Sequence, residues 1–216
     1  MISLGDHRCR VEEFFSQLHL TNFSMAEKAS ILTAVHIAFR VHGETRRKTG
    51  EPYIEHCFMV VFTLLGWGLG ANAIIVGLLH DTIEDCREEE REQLINDIRK
   101  VFDEEILDIV LYLTKDEEVP VPKQIVEGAK RYPLVPFAKL ADRRNNLITV
   151  PKLTQNQEWQ INYLLETKEG LIPAFKEASA FLPAHLQEIF LERVEEMEDA
   201  TDQALRDLRS TSLSAS

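Results

Sequence analysis

The chain has 216 residues, 44% of them hydrophobic and 28% charged, which is enough for one sizeable globular domain. A net charge of −12 excludes a broad nucleic-acid-binding face, and an anionic small substrate would need a local positive pocket. Nine Gly and eight Pro are too few for a turn-rich all-β chain, and three Cys without a CxxC pair fit a reducing cytosol rather than a disulfide framework.

Residues 8–20 read as a helix, with Val11, Phe14, Phe15 and Leu18 at three-to-four spacing. Ser24 followed by Glu27 is a capping box that opens a second helix to about residue 41. Met25, Ala29, Leu32, His36 and Phe39 form one stripe of it, and His36 reads there as a core residue. The basic loop HGETRRKTGEP (42–52) follows, kept from helix by Gly50 and Pro52.

Residues 54–66 and 71–86 carry dense apolar runs separated by Gly66, Gly68 and Gly70. The β-branched Ile74, Ile75 and Val76 favour a strand, but run length and the lack of strand-rich neighbours favour two buried helices. Helices are expected over 87–101 and 104–113, then around 123–130 after Pro120 and Pro122, and over 135–148, limited by Pro151. Trp159, Ile161, Leu164 and Leu165 mark another, broken near Gly170, with more helix over 171–181.

A long acidic helix spans about 184–208 and is expected to pack on the domain, with a homodimer through it as the alternative. The tail STSLSAS (210–216) is expected to be disordered. Neither a repeat nor a linker is visible, so residues 1–209 are expected to form one all-α domain. No leader pattern opens the sequence and the apolar stretch 71–79 is too short for a bilayer, so no membrane association and a cytoplasmic location are expected.

Two imidazoles and two carboxylates stand out: His56, the pair His80–Asp81, and Asp142. Such a nitrogen–oxygen set suits a borderline divalent metal with open positions for water and phosphate. Adjacent side chains on a helix point about 100° apart, so His80 and Asp81 reach one ion only at a helix end or distorted turn. Glu84 and Asp85 extend the same edge, and so much acid beside a His is costly unless a cation sits among them. Each residue taken alone has a plainer reading. Asp142 could pair with Arg143 or Lys139, His56 could bond backbone in the core, and Glu84 and Asp85 could be a solvated helix end.

Together the runs RKTGEPYIEHC (47–57), LLHDTIED (78–85) and KLADRRNNL (139–147) resemble the HD-domain superfamily of metal-dependent phosphohydrolases. They are most similar to the alarmone-hydrolase domain of the RelA/SpoT homologues and its small single-domain relatives, whose pattern is RKSGEPYIxHP, LLHDTxED, KLADRxxNL. The similarity covers about residues 25–170. It implies an all-α HD-domain bundle with extra C-terminal helices, and hydrolysis of the 3′-pyrophosphate of guanosine tetra- or pentaphosphate. The implied ligands of one manganese-like (Mn2+) ion are His56, His80, Asp81 and Asp142, with Glu84 and Asp85 activating water. Arg47, Lys48 and Thr49 would hold base and phosphates, and Asn146 and Thr149 the sugar or 5′ side. Lys139 would offset substrate charge, and Tyr163 and Glu166 resemble a segment that lines the pocket.

Two departures stand out. Cys57 replaces the usual proline, and a longer loop leaves open whether Arg46 or Arg47 stacks on the base. Fewer than 70 residues follow the third run, so no alarmone synthesis is expected of them. Alternative readings are a related nucleotide phosphohydrolase acting on an adenine alarmone, NADPH or a nucleoside monophosphate, or a non-catalytic nucleotide-sensing or partner-binding module. A toxic alarmone synthetase is a further counterpart that the resemblance suggests.

Overall fold

The computed structural model describes residues 8–150 and 157–214, and every regular element among them is helical. The chain divides into two compact units, Met1–Thr114 and Lys115–Ser216. Pro151 and the last two residues of the tail lie outside the described residues.

The first unit contains α1 (Arg8–Leu20), α2 (Met25–His42), α3 (Tyr53–Gly66), α4 (Ala71–Leu79), α5 (Thr82–Asp85), α6 (Glu88–Val101) and α7 (Glu104–Leu113). Its centre is α4, buried at every position except Asn72 and packed against α2, α3 and α7. Ile74, Ile75 and Val76 are therefore helical despite their branching, because complete burial outweighs a small propensity cost. Gly77 permits the close approach of α3 and α4. A Cβ there would meet Leu64 Cδ1 at 2.8 Å and Val61 Cγ2 at 3.3 Å.

The capping box is present: Ser24 Oγ accepts from the Glu27 amide at 3.2 Å, and Glu27 Oε2 accepts from the Ser24 amide at 2.7 Å. The stripe expected to face the core does not. Met25, Ala29, Leu32, His36 and Phe39 are exposed, and α2 buries Ile31, Ala34, Val35, Ile37, Ala38 and His42 instead. Both faces carry apolar residues, and the one with smaller and branched side chains lies against α3 and α4. His42, not His36, is the core histidine of this helix.

The second unit contains α8 (Val121–Ala129), α9 (Leu134–Thr149), α10 (Gln157–Glu166), α11 (Ile172–Ser179) and α12 (Ala184–Ser214). The break expected near Gly170 is a π-helical turn, Thr167–Leu171, closed by the Ile172 amide on the Thr167 carbonyl, so the chain stays helical from α10 into α11. Here α11 packs on α8. On α12, Phe190, Val194, Met197, Thr201 and Leu205 are buried at helical spacing, with Phe190 in edge contact with Phe137 and Phe175. Lys176–Glu198 and Lys168–Asp202, each at 2.6 Å, tie its exposed side and add little to stability. The helix passes residue 208, where the sequence pattern ends it, and reaches Ser214.

Phe58 of α3 is fully buried, with its ring 5.0 Å from Phe14 of α1 and 6.0 Å from Phe39 of α2. Replacing Phe58 with Ala should cost about 3–5 kcal/mol through the cavity it leaves. Urea unfolding followed by circular dichroism should read that loss, and a cost under about 1 kcal/mol would contradict this packing.

Candidate metal centre

The helical run ends at Leu79, and a new short helix starts at Thr82. Asp81 sits between them at φ −106°, ψ −1°, in the sparsely populated bridge region that many active-site residues occupy. This interruption lets the adjacent side chains of His80 and Asp81 converge. His80 Nε2 lies 2.9 Å from Asp81 Oδ2, and His56 Nε2 lies 3.8 Å from the same oxygen. The rings of His56 and His80 meet edge to face, centroids 5.2 Å apart.

The other nitrogen of His80 decides its tautomer. Nδ1 is 2.8 Å from the Gly77 carbonyl, which can only accept, so Nδ1 carries the proton and Nε2 presents a lone pair to Asp81. Asp81 Oδ2 already accepts from the Tyr53 hydroxyl at 2.6 Å. A lone pair facing a carboxylate oxygen at 2.9 Å needs positive charge, either a second proton on the ring or a metal ion. Within the first unit, His56, His80 and Asp81 converge on one point, and Asp142 of the second unit is the fourth ligand expected from the sequence. Two neutral nitrogens and two anionic oxygens fit a borderline divalent ion.

With the second proton on the His80 ring, burial would push the Asp81 carboxyl up, but the His80 charge and hydrogen bond, then His56 and Tyr53, outweigh it and hold it far below the usual carboxylate range. Asp85 is pushed the other way, to about 6, by burial first and then by the charges of Asp81 and Glu84. Glu84 is exposed on the same short helix.

Tyr53 and His42, the latter a further histidine candidate in the sequence, complete this neighbourhood. Tyr53 stands in the first sequence run with no role of its own, yet its hydroxyl reaches Asp81 and its ring stacks on His42 with centroids 4.7 Å apart. His42 is fully buried at the end of α2, its Nδ1 3.7 Å from Asp85 Oδ2. A signal for Tyr53 existed in its position three residues before His56, one helical turn away. His42 stood out in the sequence only as a histidine beside the basic loop, with no spacing that ties it to Asp85 or Tyr53.

In the 42–52 loop, Arg46 is exposed and donates to the Gly50 carbonyl at 2.9 Å, which caps a turn where Gly50 has φ 96°. Arg47 is half-buried, its guanidinium carbon 6.0 Å from the centre of the Tyr53 ring. Lys48 is exposed and Thr49 half-buried. On α9, Asp142 Oδ1 accepts from Asn146 Nδ2 at 2.8 Å, and Thr149 Oγ1 donates to the Asn146 carbonyl at 2.8 Å. Lys139, one turn before Asp142, is half-buried. Arg143 turns to Glu166 at 2.7 Å and lies 4.1 Å from the centre of the Tyr163 ring, which stacks on Trp159. Burial, with the nearby carboxylates Asp142 and Glu166, raises the Tyr163 hydroxyl to about 12 against the pull of Arg143.

These features meet in one family. The HD domain family model matches residues 34–163, more than half of the sequence, and the chain belongs to that family. Among curated relatives, the guanosine-3′,5′-bis(diphosphate) 3′-pyrophosphohydrolase of Borreliella burgdorferi is 35% identical over 145 residues, 62% of this chain and 21% of that protein. The enzyme of the same name from Aquifex aeolicus is 33% identical over 127 residues, 56% of this chain and 18% of its own length. The chain thus spans about a fifth of the length of these relatives. A solved structure described as a metazoan orthologue of SpoT that hydrolyses ppGpp aligns with a TM-score of 0.60. It is 20% identical and the match covers 82% of this chain and 97% of that one, a likeness of fold. No helix among the described residues is long and apolar enough to cross a membrane.

Opposed proton linkage follows from His42 and Asp85. Burial lowers His42 from 6.5 to about 4, so between those values the unfolded chain binds the extra proton, and acidification destabilises the fold. Asp85 rises from 3.8 to about 6, so the folded state holds the extra proton there, and raising the pH through that window destabilises it. In metal-free protein, His42→Phe should gain stability relative to the unsubstituted chain as pH falls from about 6.5 to about 4. Asp85→Asn should gain relative stability as pH rises from about 4 to about 6. Urea midpoints across that range read both trends, and slopes of the reverse sign would refute the assignment.

Proposed function

We propose that the chain is a metal-dependent phosphohydrolase that removes the 3′-pyrophosphate of guanosine tetra- or pentaphosphate, with His56, His80, Asp81 and Asp142 holding one Mn2+ ion. The observation that carries this reading is the convergence of His80 Nε2, at 2.9 Å, and His56 Nε2, at 3.8 Å, on Asp81 Oδ2, with His80 Nδ1 turned to the Gly77 carbonyl. The names of the bacterial relatives support the substrate. Residues 1–209 would act as one hydrolase domain in the cytoplasm.

When bound, a divalent ion supplies Lewis acidity to a phosphate oxygen and acidifies a coordinated water. The chain's own groups do the rest. Asp85, titrating at about 6, can accept a proton from water near neutral pH, and Glu84 beside it orients that water. Arg47, Lys48 and Lys139 offset phosphate charge, and Arg47, half-buried near the Tyr53 ring, is better placed than Arg46 to stack on the purine. Asn146, Thr149 and Tyr163 line the nucleoside side, with Asn146 also holding Asp142. Water oxygen attacks the phosphorus bonded to the 3′ oxygen, that P–O bond breaks, and the 3′ oxygen takes a proton. Pyrophosphate and the 5′-nucleotide leave.

Purified protein should release pyrophosphate from guanosine tetraphosphate with manganese and stop when the metal is chelated. Asp81→Asn should keep its helical circular dichroism and lose at least about a hundredfold in both manganese affinity and turnover, a ligand mattering more than an outer-shell partner. Turnover that survives chelation or that substitution would sink the reading. Adenine alarmone, NADPH and nucleoside monophosphates assayed alongside test the choice of substrate.

A further inference from the structure

His42 is a polar side chain with no place in the chemistry so far. It is fully buried, and among the described residues neither ring nitrogen has a hydrogen-bond partner. Buried polar atoms are satisfied in the great majority of cases, so two orphaned nitrogens on one ring need an explanation. Filling the space is not one, since a Phe or Leu would do so without burying polar atoms.

The surroundings of the ring supply the explanation. One face stacks on Tyr53, with centroids 4.7 Å apart and planes inclined by 19°, and the Tyr53 hydroxyl reaches Asp81 at 2.6 Å. The edge carrying Nδ1 points at Asp85, 3.7 Å from Oδ2. That gap exceeds a hydrogen bond by a few tenths of an ångström. The Asp85 side chain is 33% exposed at the end of a one-turn helix, so it has freedom to close the gap.

We propose that His42 is a positioning residue: its Nδ1–H donates to the Asp85 carboxylate and fixes its direction, while its face holds the Tyr53 ring so that the hydroxyl stays on Asp81. One ring thereby steadies the water-activating acid and the partner of a metal ligand together. Burial depresses the ring to about 4, so near neutral pH it is uncharged and has one N–H to give. The proposal rests on the hydrolase reading for its catalytic consequence, but the hydrogen bond itself does not depend on which substrate is cleaved.

The test has two arms on the full chain. In metal-free protein labelled with 15N at histidine, the His42 signal, assigned by its loss in His42→Asn, should be that of the Nδ1–H tautomer and should move in Asp85→Asn. The Nε2–H tautomer, or a Nδ1 signal indifferent to Asp85→Asn, overturns the hydrogen bond. The kinetic arm compares His42→Phe, which keeps the aromatic face and loses the donor, with His42→Asn, which restores a donor near the Nδ1 place. Pyrophosphate release from guanosine tetraphosphate should fall about 10–100-fold in kcat for His42→Phe with KM little changed, and His42→Asn should recover part of it. Equal kcat in His42→Phe and the unsubstituted protein overturns the positioning role. Should the unsubstituted protein release no pyrophosphate, the substrate assignment fails, while the 15N arm still decides whether His42 holds Asp85.

Discussion

The hydrogen bond from His80 Nδ1 to the carbonyl of Gly77 is the contact on which the centre depends. It settles which nitrogen carries the proton, and so turns Nε2 into a ligand atom aimed at the place where Asp81 and His56 converge. Gly77 contributes twice. Its carbonyl orients the ring, and its lack of a side chain lets α4 sit close against Leu64 and Val61 of α3, the helix that carries His56. Core packing and ligand geometry therefore share one residue. The interruption of the helix after Leu79 does the remaining work, because an unbroken helix would splay His80 and Asp81 apart.

Around that contact, two carboxylates four residues apart are driven in opposite directions. Asp81 is kept ionised by the imidazoles and the tyrosine hydroxyl on it, whereas Asp85 is partly withdrawn from water beside other acids and is pushed up to about 6. One acid suited to holding a cation and another suited to taking a proton is the division of labour that the proposed hydrolysis would use, obtained from environment rather than residue type.

Much of this was legible in the sequence. The capping box at Ser24 and Glu27 is a local interaction that its own residues specify, and it formed. The expectation that His80 and Asp81 converge only at a helix end rested on helix geometry alone, and the helix does end there. What failed was non-local. The stripe Met25–Ala29–Leu32–His36–Phe39 has good helical periodicity, but α2 has two apolar faces, and which one meets α3 and α4 is settled by the shape of those helices. The same error misplaced the buried histidine. The stacking of His42 on Tyr53 joins the end of one helix to the start of the next across the 42–52 loop, and no spacing rule registers such a meeting.

The π turn at Thr167–Leu171 has its own consequence. Its wider closure holds one more residue per turn than an α-helix does, and so rotates everything downstream by about 100° about the axis. The Trp159–Tyr163–Glu166 edge and the Ile172–Phe175–Ala178 edge are thereby uncoupled in phase, although one continuous rod bears both. Excising one residue from the turn would swing the two edges into a common frame and misalign one of them.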